Sequence, residues 1–358
     1  MIPAVVLASA ASSLAVLAIV VIAFGLLVVI HEAGHFAVAR ACGMRVERFS
    51  VGYGPVIWST KRGETEYAVS AIPFGGYVKI AGMSPEEQIA ADDPAAYSNQ
   101  PAWRRFLVIL TGPAMNYLGA VLLAWAMIAT TGIREPDPTP TVGEVVAGSA
   151  AEKAGLQGGD RILTVDGEPV ASWTALVSAV QARPGRPVRI EVQRAGAAAP
   201  LPLTAVPEPV KGRGRLGLGP NMLVVRASPA AALARGVALT NARAGEILGG
   251  LGQVVSRKQS AELRGPVGIA QEMAKSAQAG LAPFLSMVWF ISIVLALFNL
   301  LPIPALDGGR LVFLCYEIVT RRRVNERVES TVHLIGFIAI FGLLLLTVFG
   351  DLARIFRR

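Results

Sequence analysis

His31, Glu32 and His35 stand in the order H-E-A-G-H, a spacing suited to metal-assisted hydrolysis. On a helix, residues four apart share a face, so the two histidines can offer ring nitrogens to one ion. Glu32, one residue along, reaches the water bound to that ion. Zinc with two histidines, a third ligand and a water makes hydroxide available near neutral pH, and the glutamate can carry the proton to the leaving amine. The bland alternative is a pair of packed core histidines. Against it stands the setting, a long uncharged apolar run in which ionisable residues are costly and usually functional.

A third ligand must come from elsewhere in the chain, and the candidates are His333 and a carboxylate. Pro302 and Pro304 in "FNLLPIPALDGGR" (298–310) cannot continue a helix, so an apolar segment must break there. Broken backbone at membrane depth is tolerated only beside a cavity, and Asp307 follows the break. This favours Asp307. His333, at the start of another apolar run, lacks such a break and reads more simply as a polar residue at a membrane interface.

The elements that must position these residues are membrane spans. Of the 358 residues, 53% are hydrophobic, and the mean hydropathy is +0.53. A span needs about 20 apolar residues, and four stretches qualify: 14–38, 106–131, 281–301 and 332–350. The first carries no Lys or Arg before Arg40 and is too long for a signal-peptide core, so it reads as a retained span. Two short segments carry several Lys and Arg, 40–105 and 302–331, which places both inside; the long 133–280 segment is exempt from this rule, and it lies outside with the N-terminus and the C-terminus. The tail, with Arg354, Arg357 and Arg358, sits on the unexpected side of this scheme. By this parity the HEAGH end of the first span and Asp307 lie toward the same, cytoplasmic face. The net charge of +8 is explained by topology rather than by nucleic acid, because no basic patch with interleaved aromatics is present. Cys42 and Cys315 are isolated and predict neither a disulfide framework nor a cysteine metal site.

Between the spans, 46–82 reads as β structure with a Lys-Arg-Gly turn at 61–63, and it is unusually apolar for an aqueous loop. Residues 83–101 are polar and acidic and predict a mobile surface connection. After the stiff linker "REPDPTP" (134–140) come short alternating strands, Gly-Asp and Asp-Gly turns and one amphipathic helix at 173–182, a compact α+β domain. Its stretch "GSAAEKAGLQGGDRILTVDG" (148–167) resembles the PDZ domains of bacterial envelope proteases, which bind extended peptides or chain ends by adding a strand to a sheet. A plain structural spacer is the alternative. "GRLGLGP" (214–220) is a weak candidate for a loop of backbone donors to a carboxylate, and 225–280 reads as helical and amphipathic.

Taken together, HEAGH, "GPAMNYLGA" (112–120), the PDZ-like stretch, "RGPVGI" (264–269) and "NLLPIPALDGG" (299–309) resemble the bacterial site-2 proteases of the RseP type over nearly the whole chain. The resemblance implies a polytopic α-helical membrane protein of four spans, with a membrane-associated β-hairpin or sheet and one extracytoplasmic PDZ domain. Family members often carry two. It divides the chain into a first span at 1–40, a re-entrant β-loop with acidic connection at 41–103, and a second span at 104–132. The PDZ domain follows at 133–212, then an amphipathic region at 213–280, a third span with its broken helix at 281–320, and a fourth span with tail at 332–358.

The activity implied is that of a zinc endopeptidase of the inner membrane. Its substrates would be single-span, anti-sigma-factor-like proteins already trimmed outside by a site-1-type protease, and also remnant signal peptides. His31, His35 and Asp307 carry over as zinc ligands, Glu32 as catalytic base, and Asn299 and Pro302 as positions that engage the substrate. A substrate helix hides its amides in internal bonds and must unwind before cleavage, so an edge strand near the metal, helped by the Asn299 amide, could take up the freed backbone. Asn116 is a candidate for helix contact, with interhelical packing the simpler role. Two other classes are a PDZ-bearing membrane scaffold with a vestigial metal site and a metal transporter. The first has no reason to keep both Glu32 and Asp307, and the second needs ligands along a path rather than at one point.

Overall fold

The computed structural model describes residues 2–84, 87, 90, 92–256 and 265–356. Arg264 of the "RGPVGI" motif, and part of the acidic 83–101 stretch, lie outside the described residues. Two compact units are present, one made of 1–127 with 233–358, the other of 128–232.

The first unit begins with helix α1 (Ile2–Ala41), followed by strands β1 (Val46–Arg62) and β2 (Thr65–Ile80) and helix α2 (Ala102–Thr131). Four helical segments among the described residues are long and apolar enough to cross a membrane: Ala15–Ala41, Ala102–Thr131, Leu281–Leu300 and Arg327–Asp351. They fall where the four apolar runs predict them, the last beginning a few residues earlier. A helix satisfies its backbone internally and can therefore lie in hydrocarbon. The large apolar side chains left exposed, such as Ile22 at 69% and Leu346 at 71%, suit that solvent.

The hairpin turns at Gly63, whose φ is 62°, as the Lys-Arg-Gly signal predicts. Its two long strands then curl, so that Phe49–Val51 stands opposite both Tyr67–Val69 and Gly76–Val78. Ile57, Trp58 and Ile72 remain mostly exposed on this ribbon, an apolar surface larger than water alone would leave open.

The acidic connection differs from the mobile loop expected of it. Its described part is tied down: Arg45 N–H donates to the Ala95 carbonyl, Tyr97 N–H to Ala81, and Arg45 pairs with Asp93 at 2.9 Å. Tyr97 is buried with Val46, Ile80 and Val108. Asp93 pairs with Arg45, just before the hairpin, and Glu87 with Lys79 on it, pairings that local composition does not reveal.

The second unit holds β3 (Ile133–Pro136), β4 (Val142–Val145), helix α3 (Ala150–Lys153), β5 (Arg161–Val165), β6 (Glu168–Pro169), helix α4 (Trp173–Gln181), β7 (Val188–Gln193), β8 (Leu201–Ala205), β9 (Glu208–Val210), β10 (Arg213–Arg215), β11 (Leu218–Pro220) and β12 (Met222–Val225). All its strand pairs are antiparallel, with the order β6-β5-β7-β8 in the largest sheet. Ile162, Val188, Ile190 and Val192 are fully buried against Leu176 of α4. Ser149 and Ser172 cap the two helices by accepting the N–H groups of Glu152 and Ala175. A boundary at 212 would cut through this unit, since β11 pairs with β4 and β12 with β3. The closing strands return to the opening ones, a pairing too distant in sequence to read locally.

One ion pair predicts how this unit responds to acid. Asp160 is buried, and its carboxylate accepts from Arg194 at 2.7 and 2.8 Å and from the Gln157 N–H at 2.9 Å. Burial alone would raise its pKa, but the Arg194 guanidinium and the Gln157 amide hold it below the usual carboxylate range. A depressed acid stabilises the fold above its unfolded pKa, near about 4, and that contribution fades as pH falls through the folded value. Arg194→Leu should destabilise this unit at pH 7, where it leaves the buried Asp160 carboxylate without its cation, and less so below pH about 4. Amide exchange at Val188–Val192, followed against pH in the full chain, measures both.

The first unit resumes at Leu233 within α5 (Pro229–Val255) and continues with α6 (Pro266–Ala279), α7 (Leu281–Leu300), α8 (Asp307–Thr320) and α9 (Glu326–Phe356). Trp289 on α7 donates its indole N–H to Thr240 of α5 at 3.1 Å. Helix α7 ends at Leu300, and 301–306 run non-helically before α8 begins at Asp307, the break that Pro302 and Pro304 predict.

Candidate active site

Three elements meet at the site. Helix α1 supplies His31, Glu32 and His35, α2 packs behind them, and the N-terminus of α8 brings Asp307. The ring nitrogens and the carboxylate oxygen lie within 4.8 Å of one another and form the cluster among the described residues able to hold a metal ion. His31 Nε2 is 3.2 Å from His35 Nε2 and 3.0 Å from Asp307 Oδ2, and His35 Nε2 is 3.4 Å from the same oxygen.

Those separations fit zinc. A tetrahedron with metal bonds of about 2.0–2.1 Å has edges of about 3.3 Å. Protonation points the same way: His35 Nδ1 lies 2.7 Å from the Val108 carbonyl, which can only accept, so the proton sits on Nδ1 and Nε2 is left with its lone pair. Oδ2 of Asp307 is shut off from solvent and accepts no hydrogen bond. Lone pairs that converge in a buried place without donors repel one another unless a cation lies between them.

Asn116 on α2, almost fully buried, places its side-chain Nδ2 3.2 Å from His31 Nδ1, and Ser292 of α7 donates to the Asn116 backbone carbonyl at 2.8 Å. Its Oδ1 is buried without a partner, and with the amide turned over that oxygen accepts the Nδ1 proton and leaves His31 Nε2 its lone pair. Asn116 therefore does more than join helices: it orients a histidine. The signal available in sequence was a polar residue four positions after Gly112 in an apolar helix.

Gly112 itself clears the space. A Cβ there would lie 2.3 Å from His35 Nε2 and 2.8 Å from His31 Nε2. Gly112→Ala should help the isolated helix by about 1 kcal/mol and yet displace the imidazoles. We expect the purified variant to hold less than about a tenth of wild-type zinc, read by elemental analysis.

Behind Asp307 the chain doubles back tightly. A Cβ on Gly308 would fall 2.0 Å from the Leu301 carbonyl oxygen, so the first glycine of LDGG permits the turn. Ala305 takes a φ of 74°, costly for a residue with a side chain, and its N–H donates to His333 Nδ1 at 2.9 Å. His333 thus lies outside the cluster, bonded to the loop that carries Asp307.

A cavity of about 590 Å³ opens over the cluster, lined by His31, Glu32, His35, Asn299, Asp307 and the strand segment Gly76–Ile80, among others. Glu32 lies against the backbone of Val78. Asn299 donates its amide to the Leu295 carbonyl at 3.0 Å. Pro302 is in the adjoining turn, exposed, and does not line this cavity.

Fold and site together define a membrane-embedded metallopeptidase. The model of Peptidase family M50 matches residues 19–343, and the chain belongs to that family. It is 30% identical to Regulator of sigma-E protease RseP of Salmonella typhimurium over 95% of this chain and 98% of the relative. It is 28% identical to Zinc metalloprotease RasP of Geobacillus kaustophilus (94% and 97%) and 31% identical to a putative zinc metalloprotease of Clostridium acetobutylicum (93% and 96%). The protein is a zinc metalloendopeptidase of the site-2 protease type, embedded in the bacterial inner membrane.

Proposed function

We propose that His31, His35 and Asp307 hold the zinc ion, that Glu32 is the general base, and that the substrate is a transmembrane segment of a single-span, anti-sigma-factor-like protein. The observation that carries this reading is the convergence of two histidines of an apolar helix and the carboxylate at the start of α8 on one point. Zinc bound there would supply a Lewis acid and a water acidic enough to lose a proton near neutral pH. Glu32 takes that proton and delivers it to the departing amide nitrogen as the water oxygen bonds to the carbonyl carbon and the C–N bond breaks.

An intact helix cannot present a carbonyl, because its amides are bonded internally. Gly76–Ile80, paired with Val46–Val51 and lining the cavity, is placed to add the unwound stretch as a further strand. The Asn299 amide offers the same stretch more hydrogen bonds, and Pro302 shapes the adjoining turn. The exposed Ile57, Trp58 and Ile72 fit a ribbon dipping into lipid.

The 128–232 unit acts as a single PDZ domain on the extracytoplasmic side, with the active site toward the cytoplasm, as the Lys and Arg of the short 40–105 and 302–331 segments support. In this scheme an upstream protease trims the ectodomain first, and remnant signal peptides are a second substrate class. Proteoliposomes holding the purified chain and a trimmed single-span substrate test the reading: cleavage should appear, stop with a zinc chelator and return with zinc. A chain loaded with zinc that leaves every such substrate intact would refute it.

A further inference from the structure

Arg310 lies one turn after Asp307 on α8 and lines the catalytic cavity. It also lines a second cavity of about 490 Å³, which shares Met83 and Ser84 with the first, so the two spaces meet around it. The charged groups facing the second cavity are Arg105, Arg310, Arg323, Glu87, Glu317 and Glu329, together with His333.

Two of the carboxylates there, Glu317 and Glu87, are engaged. Glu317 lies 2.5 Å from Arg105 and 3.5 Å from Arg323. Glu87 accepts the Gly82 N–H at 2.7 Å and lies 3.4 Å from Lys79. Arg310 has no hydrogen-bond or ion-pair partner among the described residues.

His333 adds a second unmet donor. Its Nδ1 accepts from Ala305, so that nitrogen carries the lone pair and the neutral ring bears its proton on Nε2. Nε2 is closed off from solvent and has no partner. An unpaired guanidinium that faces a cavity is satisfied by a carboxylate entering it.

We propose that this second cavity is a specificity subsite for an acidic side chain, Asp or Glu, on the cytoplasmic flank of the scissile bond, with Arg310 as the residue that selects it. The proposal rests on the protease reading above. A substrate strand lying along Gly76–Ile80 leaves the catalytic cavity past Arg310, and the first side chain turned toward α8 meets the guanidinium. Arg310 does no chemistry; it raises the share of substrate held in register.

The test uses the full-length enzyme in zwitterionic vesicles and a substrate series carrying Glu, Gln or Lys at each cytoplasmic flank position. At one position Glu should raise kcat/KM about tenfold over Gln, and Lys should lower it. Arg310→Gln should bring the Glu-to-Gln ratio close to one, and Arg310→Glu should invert the preference toward Lys, which a merely structural role would not do. Equal cleavage across the series, or an unchanged preference for Glu in Arg310→Glu, overturns the proposal alone. So does a charge effect that follows added anionic lipid rather than the substrate, since the cavity would then hold a headgroup. A zinc-loaded wild type that cuts no member overturns the protease reading and this proposal with it.

Discussion

Glu32→Gln is expected to reduce cleavage by at least about a thousandfold while leaving zinc in place. The carboxylate and the amide have nearly the same shape, and neither Glu32 oxygen belongs to the cluster formed by His31, His35 and Asp307. What is lost is a group able to accept a proton from the water and surrender it to the leaving nitrogen, a contribution of about 10²–10⁴ where it acts alone. Because the proton must be both taken and delivered, the loss should appear in kcat rather than KM. Zinc content and single-turnover rates on the same preparation separate the two effects. A variant that keeps both its metal and its rate would remove Glu32 from the mechanism.

Asp307→Asn should act on the metal itself. Its Oδ2 sits 3.0 and 3.4 Å from the two histidine nitrogens, and the amide supplies no negative charge to balance a dication in a buried place. Zinc occupancy should drop to a few per cent, with activity falling in parallel, and high zinc should restore part of both. That contrast with Glu32→Gln, in which metal stays and activity goes, assigns ligand and base by measurement. Ala305 and His333 lend the aspartate its position, so His333→Ala should weaken zinc binding more mildly than Asp307→Asn.

Much of this was legible in the sequence because the relevant signals are local. The i, i+4 histidines announce their shared face, two prolines announce a helix break, and runs of about 20 apolar residues announce spans. Asp307 could be reached only by joining two such signals through topology. Other features depend on residues that meet from far apart. Gly112 matters because of what two histidines on another helix require of it, and Asn116 because its amide reaches His31 across an interface. The acidic connection looked free because Arg45 and Ala81, which hold it, lie some distance back in the chain. The 128–232 unit closes with β11 and β12 paired to its first strands, beyond the 212 boundary that the resemblance implies. Hydrogen-bond partners distant in sequence carry no periodicity, and composition cannot supply one.

The central claim is that the bond cut by this site lies within the apolar segment of a membrane protein. The most direct measurement is the mass of both products released from a single-span substrate in a bilayer, with the Glu32→Gln enzyme as the control. The account predicts two new ends, both within the hydrophobic run, and neither in the control. A cut confined to an aqueous loop of the substrate, or the same ends produced by Glu32→Gln, would contradict it.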